Sequence, residues 1–179
     1  GRLALHEYLE GYEGRLMRSL KSLLGSKLIK HDTSVLGTAM PFKDLLALFI
    51  GELKKRAEAT AGREFEEVVL GRPVHFVDDD IGADQEAEDT LAEVARKIGF
   101  KEVSFQYEPI AAAFDYESTI SDEELVLIVD IGGGTSDFSL VRLSPDRRFY
   151  DDRHEDILAT GGVHIGGTDF DKQLSLQGV

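Results

Sequence analysis

Two aspartates bracket the stretch of this chain whose residue types could do the most chemistry. Asp130 is followed by Gly132, Gly133, Gly134 and Thr135, and then by Asp137. Carboxylates are hard oxygen ligands, suited to Mg²⁺ or to the waters around it. Consecutive glycines let a backbone approach a ligand closely, and successive turn N–H groups form a concave nest for an anion. Thr135 adds a hydroxyl donor. These types in this order describe a turn that holds the phosphate tail of a metal–nucleotide. They also permit an empty glycine-rich hairpin, although three successive glycines exceed what a hairpin turn needs.

Other phosphate-binding patterns fail. The P-loop pattern G-x-x-x-x-G-K-[ST] is missing, and Gly25-Ser26-Lys27 is the nearest fragment. A dinucleotide fingerprint starting at Gly132 would need a glycine where Asp137 stands, and a helix after the turn. Residues 125–129 and 138–143 are apolar and rich in β-branched types, which predicts a strand on each side of the turn. The phosphate would sit in a strand–turn–strand corner.

The chain has 179 residues, 42% of them hydrophobic, which suits one domain or two small lobes. No cysteine is present, so disulfides and thiolate metal sites are excluded, and a reducing, cytoplasmic setting is expected. The formal net charge of −14 disfavours nonspecific binding to nucleic acid or to an anionic membrane. No apolar run approaches the roughly 18 residues of a membrane span. Residues 1–30 are the exception to the acidity, with six Lys/Arg against Glu7, Glu10 and Glu13. The start at Gly1, and a stop just after a predicted helix start, suggest an internal piece of a larger protein.

Around the central hairpin the pattern alternates. Leu16, Leu20, Leu23 and Leu24 recur at helical spacing up to Gly25. Residues 30–40 read as irregular or strand-containing. Phe42, Leu45, Leu46, Phe49, Ile50, Leu53 and Ala57 form one helical stripe between Pro41 and Gly62. Residues 67–70 and 74–77 read as two strands interrupted by Gly71-Arg72-Pro73, followed by an acidic loop over 78–84. Ala87, Leu91, Val94, Ala95 and Ile98 predict a helix that stops at Gly99, and residues 101–105 a short strand. Glu108-Pro109 opens a small-residue helix, with proline where its missing N–H matters least. Residues 118–124 are a polar connector, 157–160 a third strand, and Gly161-Gly162 and Gly166-Gly167 precede a helix near Asp169. The whole predicts α/β with a mixed sheet. Other sites are weaker. Asp78 to Gly82 fails the calcium-loop pattern, the five histidines form no metal-binding pair, and Ser136 and Ser139 have no evident base.

With these residues placed, the chain resembles the nucleotide-binding domain of the seventy-kilodalton, DnaK-type heat-shock chaperones, and within them the divergent YegD-type branch. The stretch 130–137 resembles the family's second phosphate motif, residues 108–114 its first connecting helix, and residues 166–171 the segment after its β-meander. Residues 20–25 resemble the short helix that bears its catalytic lysine. The resemblance implies an actin-like (ribonuclease-H-like) ATPase fold, with a first-lobe portion over 1–118 and the start of a second lobe over 119–179. It implies that Gly132, Gly133, Gly134 and Thr135 hold phosphates, and that Glu108 and Asp130 order waters on Mg²⁺. Asp137 would orient the attacking water, Lys21 would reach the γ-phosphate, and Gly166 and Gly167 would lie on the ribose side. ATP or ADP with Mg²⁺ is the implied ligand, and protein clients or co-chaperones are the implied partners of a longer protein. The family's first phosphate loop and adenosine segment are missing, so the chain alone is expected to bind ATP weakly and not to turn it over. Two alternatives on the same fold are a sugar-type kinase and a nucleotide-binding scaffold without turnover.

Overall fold

The computed structural model describes residues 2–13, 17, 20–77, 79–132, 136–163 and 165–178. The chain divides into two compact units. One comprises Gly1–Val69 and His75–Ser104, the other Leu70–Val74 and Phe105–Val179. Within the second unit, α4 (Glu108–Glu117) packs on the sheet that follows it.

In the first unit, α1 spans Arg2–Leu9. The leucine spacing around residue 20 gives one turn of 3-10 helix, Leu20–Leu23, and Leu24 behind it is buried. A second 3-10 turn, Lys27–Lys30, is capped by Ser26, whose Oγ accepts from Leu28 N at 3.3 Å. The stretch read as irregular or strand-containing is a hairpin of β1 (Asp32–Val35) and β2 (Thr38–Pro41), paired antiparallel. α2 (Phe42–Ala61) follows and ends at Gly62, whose φ of 67° is the left-handed conformation that glycine adopts freely. α3 (Ile81–Lys97) packs against it. Ala87, Leu91, Val94 and Ala95 are buried as predicted, beside Leu46, Ala47 and Phe100. The α2 stripe is narrower than the sequence pattern, with Phe49 and Leu53 exposed.

β3 (Glu67–Arg72) and β4 (Glu102–Tyr107) form a two-stranded sheet. Here two expectations are corrected. Gly71 and Arg72 continue the strand instead of interrupting it. Residues 74–77 form no strand, because the Asp84 carboxylate accepts from Phe76 N and Val77 N and takes the place of a ladder partner. The acidic loop is also shorter than expected. Asp80 is already the N-cap of α3, accepting from Ala83 N at 2.9 Å.

In the second unit, β5 (Glu124–Ile131), β6 (Ser136–Leu143) and β7 (Ile157–Val163) form an antiparallel sheet in that order. Ile110 and Ala113 of α4 pack with Val141 and Leu143, and Val126, Ile128 and Ile157 close round them. The pleat puts alternate residues on one face, so Asp130 shares the α4-covered face with Val126 and Ile128. α5 (Gly167–Leu176) ends the chain's regular structure. Among the described residues no helix is long and apolar enough to cross a membrane.

Candidate functional site

The site grows from the ladder between β5 and β6. Asp130 pairs with Asp137, and Ile131 with Ser136, so the strands part at the start of the glycine turn. β7 extends the row, because Asp137 also pairs with Gly162. Asp130, Asp137 and Gly162 thus stand side by side on one face, across three strands. Both aspartates are exposed at the sheet's end, while Ser136 is buried.

Two hydrogen bonds fasten the turn's ends to the segment before α5. Gly167 N donates to Gly132 O at 2.9 Å. Ser136 Oγ donates to Ile165 O at 2.7 Å. The first residues of α5 are held by Asp169. Gly166 N donates to its Oδ2 at 3.0 Å, and Asp169 N returns a bond to Gly166 O at 2.9 Å. The two glycine segments, 35 residues apart at Gly132 and Gly167, therefore meet. The start of α5 is thereby tied to the end of β5 at Gly132.

Glu108 is the first residue of α4, and its carboxylate lies against Gly71 of β3. Next to it, Arg72 is buried. Its Nε donates to Pro73 O at 3.0 Å, and its guanidinium stands 5.2 Å from the Tyr107 ring centroid. Gly133, Gly134 and Thr135 lie outside the described residues, as does the side chain of Lys21, whose backbone belongs to the 3-10 turn of the first unit. The structure thus brings together Asp130, Asp137, Gly132, Gly166 and Gly167. Sequence reasoning missed Gly71, Gly162 and the tether made by Ser136. The signal at Gly71 and Gly162 was a glycine just past the end of a predicted strand, and Ser136 carried none.

Among the described residues no three carboxylates or histidines converge as a direct metal cage. Two exposed aspartates in register, beside a glycine turn, match a hydrated Mg²⁺ carried by phosphates, which keeps most of its waters and needs few protein ligands.

A strand–turn–strand corner with opposed acidic ends, tied to a following helix start, is a feature in keeping with an actin-like ATPase fold. The family model of the Hsp70 protein matches residues 21–176. The chain belongs to the Hsp70 family and carries part of its actin-like ATPase domain. It is 32% identical over 179 residues to the chaperone protein HscA homolog of Pseudomonas aeruginosa (strain LESB58), covering 88% of this chain and 26% of that protein. The HscA homolog of Pseudomonas paraeruginosa is 33% identical with the same coverage. That of Shewanella piezotolerans is 36% identical over 123 residues, covering 68% of this chain and 18% of that protein. The chain spans about a quarter or less of the length of these curated relatives.

Proposed function

We propose that this chain supplies the phosphate-side wall of an ATP site, and that the longer protein of which such a wall is part is an ATP-driven chaperone. The observation that carries the reading is the bond from Gly167 N to Gly132 O, which sets a helix start beside a turn flanked by Asp130 and Asp137. In this reading the backbone N–H groups of Gly132, Gly133, Gly134 and Thr135 donate to phosphate oxygens. Asp130 and Glu108 accept from waters of the metal, and Gly166 and Gly167 leave room on the ribose side. Asp137 accepts from the attacking water and Lys21 donates toward the terminal phosphate. Bound Mg²⁺ would neutralise phosphate charge. What the chain adds is placement, which is most of what phosphoryl transfer asks of a protein.

The finer assignments belong to the same proposal. The E-P-I-A-A-A-F and G-G-T-D-F-D segments support a chaperone ATPase over a kinase. The YegD-type branch is proposed on the motifs that suggested it. Client proteins and co-chaperones are proposed partners of the longer protein, and the cysteine-free composition supports a cytoplasmic setting. Titration of the chain with a fluorescent ADP analogue tests the reading. Weak, Mg²⁺-dependent binding that Asp130→Asn abolishes is expected, without hydrolysis by the chain alone. Binding indifferent to both Mg²⁺ and Asp130→Asn would overturn it.

A further inference from the structure

Two of the acidic residues assigned to the site stand over glycine. A β-carbon placed on Gly162 would lie 2.8 Å from Asp137 Oδ1, closer than real β-carbons come to anything. One placed on Gly71 would lie 3.3 Å from Glu108 Oε1 and 3.4 Å from its Cγ. Neither glycine is required by its backbone, since the positive-φ glycines among the described residues are Gly11, Gly37, Gly62, Gly99 and Gly178. The space is taken by the carboxylate. Gly161, the neighbour of Gly162 on β7, meets nothing within 4 Å.

The geometry has an electrostatic consequence. Asp130 and Asp137 are directly opposed, and like charges in that relation repel. Gly162 continues the row on the far side of Asp137, and its missing side chain lets the Asp137 carboxylate tilt toward β7. A methyl at that place would push the carboxylate back along the row. At Gly71 the same logic holds the Glu108 side chain against β3.

We propose that Gly71 and Gly162 are positioning residues. Each seats one carboxylate, Glu108 on Gly71 and Asp137 on Gly162, and so sets where the acidic oxygens stand for the hydrated Mg²⁺ of a nucleotide. The Mg²⁺ half of this statement rests on the nucleotide reading above; the seating half does not. Groups that orient the partners of a metal commonly change its affinity 10–100-fold when altered.

The test compares Gly162→Ala with Gly161→Ala, the same chemical change one residue apart, each made in the wild-type chain and in Asp137→Ala. Thermal unfolding reads the seat without any ligand. The contact is with the far end of an exposed side chain that can swing aside, so Gly162→Ala is expected to melt only modestly below Gly161→Ala, and to lose that difference in the Asp137→Ala background. If Gly162→Ala does not fold, recovery of folding on adding Asp137→Ala carries the same meaning. Binding of Mg·ADP is expected to weaken about tenfold in Gly162→Ala and to stay unchanged in Gly161→Ala. Gly71→Ala with Glu108→Ala is the parallel cycle. Equal behaviour of Gly162→Ala and Gly161→Ala, or a penalty that persists without Asp137, overturns the seat. A coupled unfolding cycle in a chain that shows no Mg²⁺-dependent nucleotide binding leaves the seats standing, and overturns the nucleotide reading with the Mg²⁺ half of the proposal.

Discussion

Arg153 and Glu117 form a two-pronged ion pair sealed from solvent, with Nη1 3.1 Å from Oε2 and Nη2 2.8 Å from Oε1. Asp156, also buried, takes Arg153 Nε, and Arg147 bonds to Asp156 in turn. Glu117 Oε1 also accepts from Ser144 N at 3.1 Å. The last turn of α4 is thereby fastened to the connection between β6 and β7. Burial disfavours the charged guanidinium, but the hydrogen bonds to Glu117 and Asp156 outweigh it and hold the Arg153 pKa above its usual value.

Truncating Glu117 removes both bonds to the Arg153 fork and leaves the buried guanidinium only Asp156 at Nε. Glu117→Ala is expected to cost about 3–5 kcal/mol in urea unfolding. The double change Glu117→Leu with Arg153→Met should cost less than Glu117→Ala alone, since that pair is removed as a whole and Arg147 still bonds the buried Asp156. A loss from Glu117→Ala under about 1 kcal/mol, the worth of a surface pair, would show that the pair is not sealed in solution.

Acid sensitivity has a different source. A raised arginine pKa stabilises below its unfolded value, and that stability is lost only when pH rises through the folded value, so Arg153 adds no slope in acid. Glu58 works the other way. The Lys54 hydrogen bond, then the bond from Phe65 N at 2.9 Å, lowers its pKa from 4.5. Its contribution is present above 4.5 and disappears as pH falls through the lower folded value. Glu58→Gln should therefore melt below wild type at neutral pH, with the gap closing from about pH 5 downward. A gap that stays constant through the acid range would exclude the carboxylate as its cause.

Much of this structure was legible where the signal is local. The apolar runs on each side of Gly132, the helix opened by Pro109 and the α3 stripe all formed as their patterns require. What stayed hidden is nonlocal. Glu117 and Arg153 are 36 residues apart, and nothing in the spacing marks them as partners. Residues 74–77 have strand-like types, but the Asp84 side chain claimed their N–H groups. Gly71 looked like a strand break because its partner, the Glu108 carboxylate, comes from another element. Phe49 and Leu53 kept helical spacing yet stayed exposed, since periodicity does not say how wide the covered face is.

The β1–β2 turn holds a correctable strain. Leu36 and Gly37 join Val35 to its partner Thr38, and their φ values are 51° and 80°. Both central residues at positive φ make this a turn of the type that favours Asn-Gly. Leucine pays about 1–2 kcal/mol for the left-handed conformation, and this leucine is fully exposed, so packing returns nothing. Leu36→Asn should stabilise the chain by about 0.5–1 kcal/mol in urea unfolding, whereas Leu36→Ala should not. Equal effects from the two would place the gain in lost hydrophobic exposure instead.

The bond from Gly167 N to Gly132 O can be removed while the helix it belongs to is kept. Gly167 is the first residue of α5, where proline is tolerated because that N–H has no partner within the helix. Gly166 before it is extended, with φ −145° and ψ −168°, which is compatible with a following proline. A β-carbon at Gly167 would meet Gly132 O at 3.6 Å, ordinary contact. Gly167→Pro thus deletes the donor, and its Cδ takes the place of the hydrogen that pointed at Gly132 O, so that carbonyl must also draw back. Stability should fall by more than about 1 kcal/mol, the net worth of one hydrogen bond, because the Cδ also displaces Gly132 O, with helix content by circular dichroism unchanged. Mg²⁺-dependent binding of the ADP analogue should weaken more than that stability loss alone would cause, because the turn loses its tie to the helix start. Gly167→Ala, which keeps the N–H, should weaken binding less than the proline variant does. If the proline variant also binds as wild type, the tether does not shape the phosphate corner, and the observation on which the nucleotide reading leans carries no weight.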